Sequence, residues 1–190
     1  MSSNFTVVYD ACVLYPAPLR SLLMYLALSD LFRARCSNMI HEEWISNLHA
    51  QRPDLPLDKL YRVRDLMNAH VRGGLVTGFE PLIDAIRLPD PNDRNVVAVG
   101  IHTRAEMIVT FNLKDFAAEA LEPYNMTAQH PDDFILDLID LNVGAVIQAA
   151  RDHRASLKNP PLTVEHYLDC LLRQGLPQNV SELRRYSLMI

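Results

Sequence analysis

Along its first 130 residues the chain alternates short apolar runs with apolar stripes at helical spacing, and after that the short runs stop. The runs are Phe5–Tyr9, a weak one at Arg35–Ser37, Leu75–Phe79, Met107–Thr110 and Tyr124–Ala128. Between them Leu19, Leu22, Leu23 and Leu26 recur at helical spacing, as do Ile40, Trp44 and Leu48. Leu57, Leu60, Val63 and Leu66 make a third stripe, and Val96, Val97, Gly100 and Ile101 a fourth. Strands too apolar to be half-solvated, separated by amphipathic helices, predict an α/β fold with a central, mostly parallel sheet covered on both faces.

From about Gln129 the pattern becomes wholly helical. His130–Leu141, Val143–Ala155, Val164–Arg173 and Val180–Tyr186 read as helices, broken at Asn159-Pro160-Pro161 and Gly175-Leu176-Pro177. A boundary near residue 130 is therefore expected, with an α/β domain over 1–130 and a small helical domain over 131–190. A helical piece of about 60 residues is marginal alone, so it is expected to pack on the first domain or on a partner.

Composition removes several classes of function. A net charge of -5 argues against a generally basic nucleic-acid-binding surface, though not against a local basic patch or a bound cation. Cys12, Cys36 and Cys170 are far apart and form no CxxC pair, which suits a reducing compartment without disulfides or a zinc site. No apolar run approaches the length of a membrane span, and the N-terminus lacks a signal-peptide pattern, so a cytoplasmic location is expected.

The acids are the informative polar residues. Asp10 ends the first strand in "FTVVYDACVLYP", at the carboxyl edge of the sheet, where open α/β folds bind ligands. In "LPDPNDRNVVAVGI", Asp90 before Pro91 reads as a helix cap, which accounts for it. Asp93 differs: Val96, Val97, Gly100 and Ile101 follow it at helical spacing, so it heads the buried stripe. In "SNMIHEEWISNLHA" the helical phase puts Glu43 on the face of Ile40, and Glu42 with Ile45 and His49; a shift of one residue exchanges them. "MIVTFNLKDF" places Thr110 at a strand end, with Asn112 and Asp115 in the following turn, where ordinary turn and cap roles also fit. Carboxylates converging on one sheet edge repel one another, and a hard divalent cation such as Mg²⁺ relieves that conflict with oxygen ligands and water.

With these motifs in order, the chain resembles the PIN-domain ribonucleases, including the VapC-type toxins of toxin–antitoxin pairs. "VVYDACVLYP", "SNMIHEEW", "DRNVVAVGI" and "IVTFNLKDF" carry the resemblance over residues 5–130, and the helical tail beginning "HPDDFILDLID" is similar to the extension of one PIN subgroup. It implies a PIN-like three-layer α/β/α fold and a Mg²⁺- or Mn²⁺-dependent endoribonuclease. Asp10 and Asp93 would hold the metal, and Glu43 and Asp115 would orient water or a second ion. Thr110 and Asn112 would position the acids. Many relatives carry Asp where this chain has Asn112, so the fourth site position stays open between Asn112 and Asp115. Arg20 is a candidate phosphate contact, against the ordinary reading of a surface arginine, and Arg62, Arg64 and Arg72 form a basic stretch. An RNA substrate, a homodimer and a small antitoxin partner are also implied.

Three rival readings differ in class. A haloacid-dehalogenase phosphatase needs a second Asp two residues after the first, where Cys12 stands. A flap-type DNA nuclease carries basic insertions that this acidic chain lacks. A non-catalytic PIN-like module that binds RNA or protein without cutting is the alternative that the acids alone do not remove.

Overall fold

The structure is a computed structural model and describes residues 5–190. Five parallel strands form one sheet: β1 (Thr6–Tyr9), β2 (Arg33–Ser37), β3 (Leu75–Val76), β4 (Met107–Val109) and β5 (Thr127–Gln129), in the spatial order β3-β2-β1-β4-β5. All four pairings are parallel. Every residue of β1 is buried, so both faces of the central strand are covered, as the unbroken apolar run requires. This is the PIN-like α/β arrangement expected from the alternation.

Helices α1 (Ala11–Leu14), α2 (Ala17–Ala27), α3 (Asn38–Gln51) and α4 (Leu57–His70) lie in the connections that step outward from β1 through β2 to β3. Helix α5 (Arg94–Thr103) lies in the return from β3 to β4, and the short α6 (Ala118–Leu121) between β4 and β5. Right-handed crossovers running in opposite directions put their helices on opposite faces. The reversal falls between the neighbours β1 and β4, and at such a switch point the strand ends leave a crevice. Asp10 follows β1 and Thr110 follows β4 at this place.

Strand β2 extends two residues earlier than its apolar signal because it is alternating: Ala34 and Cys36 are buried, whereas Arg33 and Arg35 turn outward. Strand β3 is shorter than its sequence suggests. Gly78 has φ +84 and turns the chain before Phe79 can pair. No helix starts at Phe116; residues 113–116 are a turn closed by Asp115 N–H donating to the Asn112 carbonyl (3.0 Å).

The helical tail comprises α7 (Pro131–Ser156), α8 (Val164–Arg173) and α9 (Pro177–Arg184). The two helices expected before residue 156 are both present within α7, which is broken at Asn142 (φ -159, ψ 86); its Oδ1 accepts from Ala145 N–H (3.1 Å) and caps the second. Helix α7 packs along α2, and the Phe134 ring meets Phe32 edge-on at 5.1 Å. A single continuous apolar core runs from β1 to Leu183.

Candidate active site

Asp10 is 2% exposed and is fixed from three directions. Its N–H donates to the Val109 carbonyl (3.1 Å), tying the residue to β4. Its Oδ2 accepts from Thr110 Oγ1 (2.7 Å) and from the Cys12 thiol (3.0 Å). Thr110 Oγ1 in turn accepts from Asn112 N–H (2.9 Å), while Cys12 Sγ accepts from Phe111 N–H (3.2 Å). Oδ2 thus has two donors, and no donor to Oδ1 occurs among the described residues.

Glu43 and Asp93 meet Asp10 from two helices. Ser37 Oγ accepts from Ile40 N–H (3.2 Å) and starts α3, whose first turns bring Glu43 inward. Asp90 Oδ1 accepts from Asn92 N–H (2.8 Å) ahead of the 3₁₀ turn Pro91–Asp93, which leads into α5. Burial, with the charges of Asp10 and Asp90, pushes the Glu43 carboxyl up to about 7. Burial likewise carries Asp93 to about 7, reinforced by Asp10, Asp90, Glu43 and Asp115. Burial and the gathering of like charges at one edge both favour the protonated carboxyl. None of the ion pairs among the described residues involves these acids.

Several expectations sharpen against these positions. Glu42 turns away, accepting from Tyr61 Oη (2.9 Å) and Arg64 Nη1 (3.4 Å), so Glu43 is the inward member of the pair. At the fourth position, Asp115 is half-buried and its charge reaches Asp93. Asn112 is exposed, and its recorded link to the cluster is its main-chain N–H on Thr110. Arg20 does not offer itself to a phosphate, which corrects the sequence expectation. It is buried, donates through Nη1 to the carbonyls of Leu14 (2.6 Å) and Tyr15 (3.3 Å), and lies over the Trp44 ring at 4.4 Å. These carbonyls are orphans at the end of the one-turn α1, so Arg20 closes that helix. The basic stretch also disperses: Arg64 pairs with Glu42 and Asp65 and stacks on Tyr61.

The donors suit a hard cation. Every acid here offers oxygen, and the one thiol beside them is held protonated, its pKa pushed up to about 12 by burial and by Asp10. Among the described residues no group of three or more His, Cys, Asp or Glu side chains is placed to hold a metal ion. An ion that keeps most of its water and takes one or two carboxylates fits such an open edge.

Comparison with known proteins bears on both parts of the chain. The family model described as the VapC50 C-terminal domain matches residues 131–185. A protein of Mycobacterium tuberculosis named "Putative ribonuclease VapC50" is 41% identical over 108 residues, which is 57% of this chain and 63% of that protein. The chain is thus similar to VapC-type proteins over these stretches. The match spans less than two thirds of that relative's length. No solved structure gives a significant match.

Two site neighbours carry no functional signal of their own in the sequence. Asp90 reads as a cap, yet its charge bears on both Glu43 and Asp93. Its spacing of three residues from Asp93, on a turn that precedes the helix, was the available signal. Cys12 was used only to set aside another family; two residues beyond Asp10 on a helical turn, it was placed to reach back to that carboxylate.

Proposed function

We propose that this chain is a divalent-cation-dependent endoribonuclease, the toxin of a toxin–antitoxin pair, hydrolysing RNA phosphodiester bonds. One observation carries the reading: Asp10, Glu43 and Asp93 converge at the β1/β4 switch point without a basic partner, where burial and their mutual charge raise the pKa of Glu43 and Asp93 to about 7. The ribonuclease named among its relatives supports the same reading.

In this scheme Asp10 and Asp93 hold Mg²⁺, or Mn²⁺ in its place. Bound there, the ion would neutralise the acids, activate water and stabilise the departing oxygen of the phosphodiester. Thr110 and Cys12 donate to Asp10 Oδ2, so Oδ1 would be the atom left to hold the ion. Glu43, held at the rim by α3, accepts a proton from the attacking water at its carboxylate. Asp115, whose charge reaches Asp93, orients water or a second ion, and Asn112 steadies Thr110 through its main chain. RNA is the substrate, a small antitoxin protein the partner, and a homodimer the working assembly. No helix among the described residues is long and apolar enough to cross a membrane, which is compatible with a cytoplasmic toxin. We also propose that residue 131 starts a second domain, a division supported by the family match to residues 131–185.

Asp10→Asn and Asp93→Asn are expected to abolish Mn²⁺-dependent RNA cleavage while the chain stays folded, as read by circular dichroism. Calorimetric titration with Mn²⁺ should show binding to the unmodified protein and none to the double variant. Equal cleavage by all proteins would remove the nuclease assignment. Absent Mn²⁺ binding together with intact RNA affinity would instead establish the non-catalytic binding module.

A further inference from the structure

At the opposite end of the strands from the acids lies a hollow of about 830 Å³, and its charged rim is cationic. Arg33 and Arg35 enter it from β2, two residues apart and therefore on the same face of the strand. His70 ends α4 there, and Arg72 follows in the turn to β3. Asp30 is the one acid in the lining, and none of the ion pairs among the described residues involves these groups. In a chain of net charge -5, such a concentration of unneutralised cations stands out.

Arg35 is held in place rather than free. Its Nη1 donates to the Gly73 carbonyl, and the guanidinium lies so close that a side chain at Gly73 would press on it at 3.3 Å. Gly73 also has φ +65, so this turn needs glycine for its backbone as well as for the space. Burial and the neighbouring charge of Arg33 both lower the Arg35 pKa, the expected strain of two cations facing one opening.

We propose that this hollow is a second RNA contact, binding the phosphate backbone of a single strand away from the cleavage edge. The proposal rests on the ribonuclease reading only for the identity of the strand. Guanidinium groups match phosphate oxygens two at a time, and Arg35 is held at the hollow by its bond to the Gly73 carbonyl. The lining is predominantly polar, without the deep apolar anchor that a protein partner would use. The parallel register pairs Arg33 with Thr6, whereas Asp10 follows Tyr9 at the other end of β1. The two sites are thus separated by about 13 Å of strand, taking about 3.3 Å per residue. One RNA strand passing both would be gripped at one end of the sheet and cut at the other.

The test uses full-length protein carrying Asp10→Asn and Asp93→Asn, so that binding is read without cleavage. A short labelled single-stranded RNA is titrated over a range of salt, with and without Arg33→Gln and Arg72→Gln. Loss of two phosphate contacts should weaken binding about tenfold at low salt. It should also flatten the slope of log affinity against log salt by about 1.4, at about 0.7 per contact. Removing the same charge at Arg151 and Arg173 should leave the slope unchanged. In cleavage-competent protein the Arg33/Arg72 changes should raise KM for long RNA with kcat within about twofold. An unaltered slope overturns the proposal, as does an equal change from the control pair. Competition by polyglutamate but not by RNA would assign the hollow to an acidic protein; competition by inorganic phosphate alone would reduce it to an anion site. A changed slope in protein that never cleaves would keep the RNA contact and discard the nuclease.

Discussion

Thr110 shows how much of the site depends on a residue without charge. Its hydroxyl donates to Asp10 Oδ2 and accepts the Asn112 N–H, so one atom orients a carboxylate and fixes the following turn. Thr110→Val keeps the shape and removes both bonds. Mn²⁺ affinity should fall by about ten- to a hundredfold, the usual cost of losing a ligand-orienting group. Stability should fall by only about 1–2 kcal/mol, since a buried N–H loses its acceptor. Thr110→Ser should restore the affinity in the same titration. At this scale the acids were legible in the sequence because each stood against an apolar pattern that fixed its direction. Asp93 heads a valine stripe, and Asp10 ends an unbroken strand. The role of Arg20 was not legible. Which carbonyls it meets depends on how α1 ends and on Trp44 arriving from α3, and no local pattern encodes that meeting.

Among the elements, the tail helices are joined by buried polar groups. Asp132, 3% exposed in the first turn of α7, receives Gln178 N–H at Oδ2 (3.0 Å), and both Asn179 N–H (3.1 Å) and Asn179 Nδ2 (2.6 Å) at Oδ1. It therefore caps α9 from another helix. Asp132→Ala should cost about 3 kcal/mol by urea unfolding, with amide protection lost first in α9. His153 of α7 meets Tyr167 Oη of α8 at 3.1 Å, fully buried, and burial lowers its pKa to about 4. Between pH 6.5 and 4 the unfolded chain binds a proton that the folded chain refuses. The contribution of neutral His153 is thus complete above pH 6.5 and is lost as pH falls toward 4, to at most about 3 kcal/mol. Thermal melts from pH 7 to 5 should show this loss, and His153→Gln should flatten it. Sequence patterns located these helices well but not their joints. The break at Asn142 follows from spacing, but the side-chain cap that Asn142 places on the second helix does not. Strand β2 was only half seen because its outward residues are arginines, which mask the alternation of Ala34 and Cys36.

For the whole molecule, the division near residue 130 marks a change of composition, while the packing crosses it. Helix α7 covers α2, Phe134 closes on Phe32, and the core continues unbroken into the tail. A fragment ending at residue 130 would expose the α2 surface and is expected to aggregate or melt without cooperativity. Analytical centrifugation and calorimetry of that fragment against the full chain decide the point. A soluble fragment with a sharp transition would show that the first domain stands alone. The parallel sheet itself was evident from the chain's alternation, whereas the burial of the tail against α2 was not, since a helical stripe does not name its partner. The amide of Asp10 is bonded to Val109 on the adjacent central strand, so the carboxylate belongs to the most deeply enclosed framework of the molecule. A carboxylate anchored in that framework moves only with the sheet, so restraint of the proposed cleavage would have to come from a partner covering the edge.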